Sequence, residues 1–172
     1  RELKNKTLRI NSSAKLVHFS GALLLDQVHS AHPLMTFGEN LGTPVWYRQI
    51  PFVVNEGERL SQILPGLPNP QFSIKPEHRS FYHALCSLAG NYSFLLWQNI
   101  GDEFEKSLNL PREILLPYLH QVVDNSRVST NGNFTGPVSR GDVAVVESHL
   151  ASLRSHPKLL ASYKNFLNLA AT

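Results

Sequence analysis

The fold of this chain is decided by residues 76–97, PEHRSFYHALCSLAGNYSFLLW. Pro76 followed by Glu77 is typical of a first helical turn, and no further proline occurs before Pro111. Over residues 81–97 the apolar side chains cover nearly all sides of a helix, whereas a surface helix needs only one apolar face. The pattern therefore predicts a helix that is buried on most sides, in part by a second subunit.

Downstream of this helix the sequence predicts three more helices and no strand. Each has a start signal of its own, either a proline in the first turn or an aspartate that caps the free N–H groups. The three are predicted to run from Pro111 to about Asn125, from Asp142 to about Arg154, and from Pro157 to the end of the chain. Residues 76–172 are therefore predicted to form a helical domain.

Upstream of Pro76 the sequence alternates between short apolar runs and residues that favour turns. Such runs indicate strands, and the predicted strands are residues 15–20, 31–37, 50–54 and Gln71–Ile74, with a short helix at 58–64. Residues 1–75 therefore have α/β character, and they are predicted to be a domain separate from residues 76–172.

Composition excludes several classes of protein. Only 17% of the 172 residues are charged, which is low and indicates that part of the surface meets another chain. A single cysteine excludes an internal disulfide framework and the common zinc sites, and no apolar run reaches the length of a membrane span. The net charge of +3 comes from scattered lysines and arginines with no basic stripe. We expect a soluble, cytoplasmic protein that binds neither nucleic acid nor a membrane.

The chain carries no dinucleotide fingerprint of its own. That fingerprint, G-x-G-x-x-G, needs two glycines one residue apart, and no such pair occurs here. Gly136 and Gly141 have the spacing of a phosphate-binding loop, but Asp142 stands where that loop needs lysine. His29 and His32 would point to opposite faces of a strand, so no metal site is predicted.

Polar residues at four-residue intervals cross the apolar surface of the decisive helix. They are His83, Ser87 and Asn91. Two interpretations stay open: a buried network that fixes the helix register, or a substrate site in which His83 acts as acid or base and Asn91 orients a carbonyl group. Cys86 is predicted to be an inert thiol of the core.

The segment 135–142, TGPVSRGD, is predicted to be a turn that feeds a helix. Its two glycines permit unusual backbone angles and Asp142 caps the helix. Arg140 has two interpretations, an internal salt bridge or a fork that holds a carboxylate or phosphate of a ligand.

Three parts of the sequence together resemble one family. They are LVHFSGA at 16–22 with HPLMTF at 32–37, YHA at 82–84 with Asn91, and TGPVSRGD at 135–142 with His149 and Leu150. They resemble a bacterial family of Rossmann-like oxidoreductases whose C-terminal half is a domain of unknown function. That family is similar to pyrroline-5-carboxylate reductases, prephenate dehydrogenases and β-hydroxyacid dehydrogenases.

The resemblance implies a fold, a cofactor and a site. The fold is the C-terminal part of a Rossmann-like domain followed by an all-α domain similar to the C-terminal fold of 6-phosphogluconate dehydrogenase. The full-length protein is expected to use NADP or NAD, to act on a small molecule and to form a homodimer through its helical domain. The expected catalytic residues are His83 and Asn91, and the expected substrate- or cofactor-binding residues are His18, Ser20, His32, Thr135 and Arg140.

Two departures from that pattern limit what carries over. The chain is expected to start inside the Rossmann-like domain, past the glycine-rich turn, so it should not bind the cofactor tightly alone. Ser87 occupies the position, four residues before Asn91, where β-hydroxyacid dehydrogenases carry a lysine. We therefore expect part of an NAD(P)-dependent oxidoreductase that transfers hydride to or from a carbonyl, hydroxy or imine group; the alternative is a non-catalytic dimerising or ligand-sensing module with the same fold.

Overall fold

The computed structural model describes residues 14–39, 41–128 and 135–171. By their internal contacts the residues group into two compact units, 1–91 and 92–172. The change from strands to helices falls at Pro76, as predicted, and the use of that residue as a domain boundary stays a prediction.

The first unit is a small mixed sheet with short helices. Its elements in chain order are β1 (Val17–His18), β2 (His29–Pro33), α1 (Pro44–Gln49), β3 (Phe52–Asn55), α2 (Leu60–Ile63), β4 (Gln71–Ile74), a 3-10 turn (Pro76–His78) and α3 (Arg79–Ser87). The strands lie in the order β1-β2-β3-β4, and only the middle pair is antiparallel.

The two faces of this sheet differ in polarity because side chains alternate along each strand. The register pairs Ala31 with Val54 and Pro33 with Phe52, so these side chains share one face. Together with Leu60 and Ile63 of α2 and the half-buried Val17 and Leu64, they form the apolar core of the unit. The opposite face carries His18, Ser30, His32, Val53 and Asn55, and α3 lies against it.

The loop between β3 and α2 is fixed by the carboxylate of Glu58. One oxygen accepts a hydrogen bond from Nδ1 of His29 at 2.9 Å, and the other accepts the backbone N–H of Asn55 at 3.2 Å. The first N–H of α2, that of Leu60, donates to the side chain of Gln71 at 2.6 Å. Side chains of β2 and β4 thus hold α2 on the apolar face.

Two of the four predicted strands agree closely with the structure. β3 and β4 confirm the predictions for 50–54 and 71–74. The predicted strand 15–20 was too long, since β1 pairs through only two residues. The predicted strand 31–37 was displaced, because β2 begins at His29 and ends at Pro33.

Helix α1 was not predicted, although its start carries a recognisable signal. Thr43 is the N-cap, and its hydroxyl accepts the N–H of Trp46 at 3.2 Å, while Pro44 occupies the first turn. The predicted short helix at 58–64 is confirmed as α2, in a shorter form.

The second unit consists of helices joined by short turns. They are α4 (Ser93–Leu108), a 3-10 turn (Arg112–Ile114), α5 (Leu115–Val128), α6 (Val143–Ser152), a 3-10 turn (Leu153–Ser155) and α7 (Pro157–Ala170). The predicted cap is confirmed, because the carboxylate of Asp142 accepts the N–H of Val145 at 3.2 Å. None of the helices in the described ranges has the length and apolar character needed to span a bilayer.

The prediction for residues 81–97 needs two corrections. The segment is not one α-helix, because a π-helical turn at Leu88–Tyr92 separates α3 from α4. Nor does the chain itself bury it on most sides: Phe81 is 66% exposed and Leu95 is 58% exposed. The apolar pattern therefore indicates an apolar surface that is exposed in the single chain, not a packed core.

Candidate functional site

A buried arginine fixes α3 on the polar face of the sheet. The side chain of Arg79 is fully buried; its Nε donates to Oδ1 of Asn55 at 2.8 Å, and its Nη2 donates to the carbonyl oxygen of Val53 at 3.2 Å. Burying a guanidinium costs free energy, and these bonds offset part of that cost and hold the first residue of α3 against β3. Tyr82 and His83, three and four residues further on, therefore face the sheet as well.

His32, Tyr82 and His83 form a cluster of rings at this face. Nδ1 of His32 lies 2.7 Å from the hydroxyl of Tyr82, which is a strong hydrogen bond. The ring of His83 meets the ring of His32 edge-on, with the centroids 5.8 Å apart and the planes at 80°. The ring nitrogens of His83 have no hydrogen-bond partner among the described residues.

The cluster closes against the backbone at Gly21, which is buried. A methyl group on this residue would overlap Cδ2 of His83 and would lie 3.1 Å from Nε2 of His32. Only glycine lets the loop after β1 approach both rings this closely. Gly21 thus fixes the position of His83 relative to His32.

The hydrogen-bonded pair is uncharged near neutral pH. Burial, then the neighbouring His83 and the charge of Arg79, lower the pKa of His32 below its usual 6.5. Burial and the nearby thiol of Cys86 raise the pKa of Tyr82 well above its usual value. A neutral imidazole and a protonated phenol therefore share one hydrogen bond, and the tautomer of His32 decides which of them donates.

His18 belongs to the same face and pairs with Ser30 in the ladder between β1 and β2. Burial, then the charge of Arg79, lower the pKa of His18. Nδ1 of His18, the hydroxyl of Ser30 and Nη1 of Arg79 are all buried without a hydrogen-bond partner in the described part of the chain. Most buried polar atoms in folded proteins have a hydrogen-bond partner, so these three neighbouring atoms call for an explanation, and binding of a ligand is one.

The structure brings together three of the residues predicted from the sequence. His18, His32 and His83 all lie on or against the polar face. Ser20 lies just beyond β1 and is exposed, and its hydroxyl accepts the N–H of Leu23 at 3.2 Å. The loop after β1 therefore uses this hydroxyl for its own turn.

Asn91 is not brought into contact with His83 by any hydrogen bond of the described residues, and it is exposed. The prediction that they share a helix side assumed continuous α-helical spacing, which the π-helical turn changes. Ser87, between them, donates its hydroxyl proton to the carbonyl oxygen of His83 at 3.0 Å. The continuous polar line predicted from sequence is therefore interrupted.

Thr135 and Arg140 lie in the second unit, in the turn that leads to α6. Both side chains are exposed, and the turn is closed by the N–H of Asp142, which donates to the carbonyl oxygen of Pro137 at 2.8 Å. Arg140 forms no ion pair with a described residue, so the internal salt bridge is not found. Its guanidinium is available to a ligand anion.

No metal centre emerges from the histidine pair on β2. His29 binds Glu58 on one face, and His32 binds Tyr82 on the other, as the strand periodicity predicts. Within the described ranges no three side chains of histidine, cysteine, aspartate or glutamate come together as a metal would require.

Sequence reasoning missed Tyr82, Arg79 and Gly21 as members of the site. Tyr82 was part of a quoted motif, and Gly21 follows directly on a predicted strand, so both carried a weak signal. Arg79 carried none, because arginine is almost always exposed and only the packing of α3 on the sheet shows it to be buried.

Solved structures of two bacterial proteins share this fold. One, from Bacteroides fragilis, is described as a "putative NADP oxidoreductase"; it matches with a TM-score of 0.77 at 20% identity, over 99% of this chain and 72% of that one. The other is protein TM1727 from Thermotoga maritima, with a TM-score of 0.71 at 26% identity, over 92% of this chain and 68% of that one. A small mixed sheet followed by helices is therefore an architecture found in oxidoreductase-like proteins.

A family model assigns the chain directly. Residues 55–168 match the domain of unknown function DUF2520, so the chain belongs to this family. The matched region includes α3 with Arg79, Tyr82 and His83, whereas His18, Gly21 and His32 lie before it. No protein of curated function matches the chain.

We expect Gly21→Ala to destabilise the first unit, since the added methyl group would overlap His83. Overpacking of this kind costs about 1–3 kcal/mol in the free energy of unfolding. Gly38→Ala is the matched control, because nothing lies within 4 Å of the added atom there. Urea unfolding measures both variants, and an equal effect of the two substitutions would contradict the close approach at Gly21.

Proposed function

We propose that this chain is part of an NAD(P)-dependent oxidoreductase, in which hydride moves to or from a small carbonyl, hydroxy or imine compound. The observation that carries the proposal is the cluster of His32, Tyr82 and His83 on the polar face of the sheet, in which His32 and Tyr82 share a hydrogen bond. The fold is compatible with it, because one protein of similar fold is described as a "putative NADP oxidoreductase".

The position of the cluster within the sheet supports a ligand site. β1 and β2 run parallel, and His18 and His32 lie at or next to their carboxyl ends. In open α/β sheets, ligands bind outside the carboxyl ends of parallel strands. The proposed substrate position is therefore beside Nε2 of His32 and the ring of His83, next to the loop at Gly21.

The residues of this chain do not by themselves fit a dinucleotide. Its pyrophosphate needs a glycine-rich turn before a helix, and the sequence contains no pair of glycines one residue apart. In our proposal the cofactor supplies hydride and is held by residues outside this sequence. Arg140 and Thr135, both exposed in the second unit, are the candidates here for a contact with cofactor or substrate.

The cluster is suited to move or share one proton at the substrate. A carbonyl that accepts hydride gains negative charge on oxygen, and a hydrogen-bond donor at that atom stabilises the charge. His83 has no partner for its ring nitrogens among the described residues, so it is free to give or take that proton. His32 is neutral and is held in place by its hydrogen bond to Tyr82, and His83 packs against the ring of His32.

The alternative is a non-catalytic module that binds a ligand with the same surface. The two functions differ in what the intact gene product does with nicotinamide cofactors. A glycine-rich fingerprint encoded before Arg1, together with oxidation of NADPH or NADH in the presence of small carbonyl or imine compounds, supports the enzyme. Ligand binding without cofactor turnover supports the module.

We expect His83→Gln in the intact gene product to lower kcat by about 10²- to 10⁴-fold, as loss of a general acid or base does. Glutamine keeps hydrogen bonding but cannot transfer a proton at neutral pH. Turnover is followed by the absorbance of the reduced cofactor, and urea unfolding of the same protein checks the fold.

His120→Gln is the matched control, since His120 is exposed on α5. A His83 variant that keeps full turnover would contradict the catalytic role. A variant that only unfolds more easily, with kcat intact, would instead support a structural network.

We further propose that the chain forms a homodimer through its helical part. The observation behind this is the set of apolar side chains that the chain leaves exposed on α4, among them Phe94 at 57% and Leu95 at 58%. An obligate interface of this kind buries more than about 1,000 Å² of accessible surface in total.

Leu95→Glu places a charge in this surface and is expected to shift the chain from dimer to monomer in sedimentation equilibrium at micromolar concentration. Leu41→Glu is the control, because Leu41 is 90% exposed in a loop of the first unit. A monomeric unsubstituted chain would overturn the proposal.

A further inference from the structure

The first unit has a concave surface on the face of the sheet opposite the histidine cluster. It is an open cavity of about 760 Å³. Pro33 and Phe52 line it, and their side chains point away from His32 and Val53, because neighbours along a strand alternate. The cavity is therefore distinct from the site proposed for catalysis.

The walls of this cavity are mostly apolar and include aromatic rings. Phe19, Phe37 and Tyr47 contribute rings to it. The ring of Trp46 contacts two of these rings. The ring of Trp46 lies 6.5 Å from that of Phe37 and 4.9 Å from that of Tyr47, both edge-on. Such a lining and volume are typical of pockets for small organic molecules.

Two uncharged polar side chains of the cavity, those of Tyr47 and Asn69, make hydrogen bonds within the first unit. The amide nitrogen of Asn69 donates to the carbonyl oxygens of Tyr47 and Ile50, at 2.6 Å and 3.0 Å. The hydroxyl of Tyr47 accepts the N–H of Gly42 at 3.2 Å. These bonds tie α1 to its surroundings.

Arg48 adds a charge to this cavity. It is the one charged residue among the described residues that line the cavity, its side chain is exposed, and it forms no ion pair with a described residue. A guanidinium is always charged and presents a planar fork that matches a carboxylate. The cavity thus combines an apolar body with one cationic contact.

We propose that this cavity binds a small hydrophobic carboxylate, with the ring or chain of the ligand between Phe37, Tyr47 and Phe52 and its carboxylate on Arg48. The complementarity is one of charge and polarity: an apolar wall excludes strongly hydrated ligands, and a lone arginine favours a single anionic group. The site lies beyond the proposed oxidoreductase function and does not depend on it.

Binding of 4-phenylbutanoate and of its neutral analogue 4-phenylbutanamide tests the proposal directly. Calorimetry on the complete chain measures both, without any cofactor. The fluorescence of Trp46 is a second measure of binding. The sequence has two tryptophans, so the substitution Trp97→Phe leaves Trp46 as the sole source of that signal. We expect the carboxylate to bind about tenfold more tightly than the amide, the factor expected when one charge-assisted hydrogen bond is lost.

Two variants with a matched control locate the ligand. Arg48→Gln is expected to weaken 4-phenylbutanoate about tenfold and to leave the amide unchanged, whereas Arg59→Gln, at an exposed arginine outside the cavity, should change neither. Leu67→Glu places a carboxylate in the wall of the cavity and should abolish binding of both compounds. Leu67 is 41% exposed, so the fold should tolerate the change.

Three outcomes would overturn the proposal. These are binding of neither compound at millimolar concentration, equal binding of acid and amide to the unsubstituted chain, and a loss in Arg59→Gln equal to that in Arg48→Gln. None of them bears on the histidine cluster, so this test and the turnover test of His83 fail independently.

Discussion

The buried guanidinium of Arg79 is the interaction on which the arrangement of the site depends. It is held by the carbonyl oxygen of Val53 and the side chain of Asn55, both belonging to β3. Removing either partner would leave a buried charge with fewer hydrogen bonds, which is costly. The start of α3 is thereby fixed on the polar face, and Tyr82 and His83 follow at the spacing that turns them toward the same face.

The sheet assigns different tasks to its two faces. The apolar face packs against α2 and supplies the core, so it stabilises the unit without needing the polar face to do so. The polar face is consequently free to carry His18, Ser30 and His32 beneath the buried Arg79 of α3, although one polar atom each of His18, Ser30 and Arg79 lacks a partner among the described residues. Buried polar atoms without hydrogen bonds cost free energy of folding, and folded proteins tolerate this cost chiefly where function requires it.

How far the sequence could predict this structure depended on the range of the interactions involved. The start of α7 at Pro157, the cap at Asp142 and the strands β3 and β4 follow from local rules, and they were predicted. The length of β1 depends on pairing with β2, which no local pattern specifies. The π-helical turn after α3 also escaped, since apolar periodicity does not distinguish it from a continuous helix.

The same distinction applies to the candidate site. His18, His32 and His83 were recognised as chemically capable residues, and the structure places all three on one face. Their environment was not foreseeable, because the burial of Arg79 and the bond between His32 and Tyr82 join residues far apart in sequence. The predicted position of Asn91 beside His83 is not found for a related reason: it assumed a regular α-helix through residues 88–92.

His32 and Tyr82 form a half-buried, uncharged pair at the centre of the proposed site, and the pKa of His32 tests this arrangement most directly. It can be measured from the pH dependence of the imidazole resonances in NMR spectra of the chain, with His32→Gln identifying the resonance. We predict a pKa of His32 below 6.5, since burial, His83 and Arg79 all disfavour its imidazolium ion. A pKa at or above 6.5 would contradict it, because an exposed or carboxylate-bound imidazole would then occupy the centre of the proposed site.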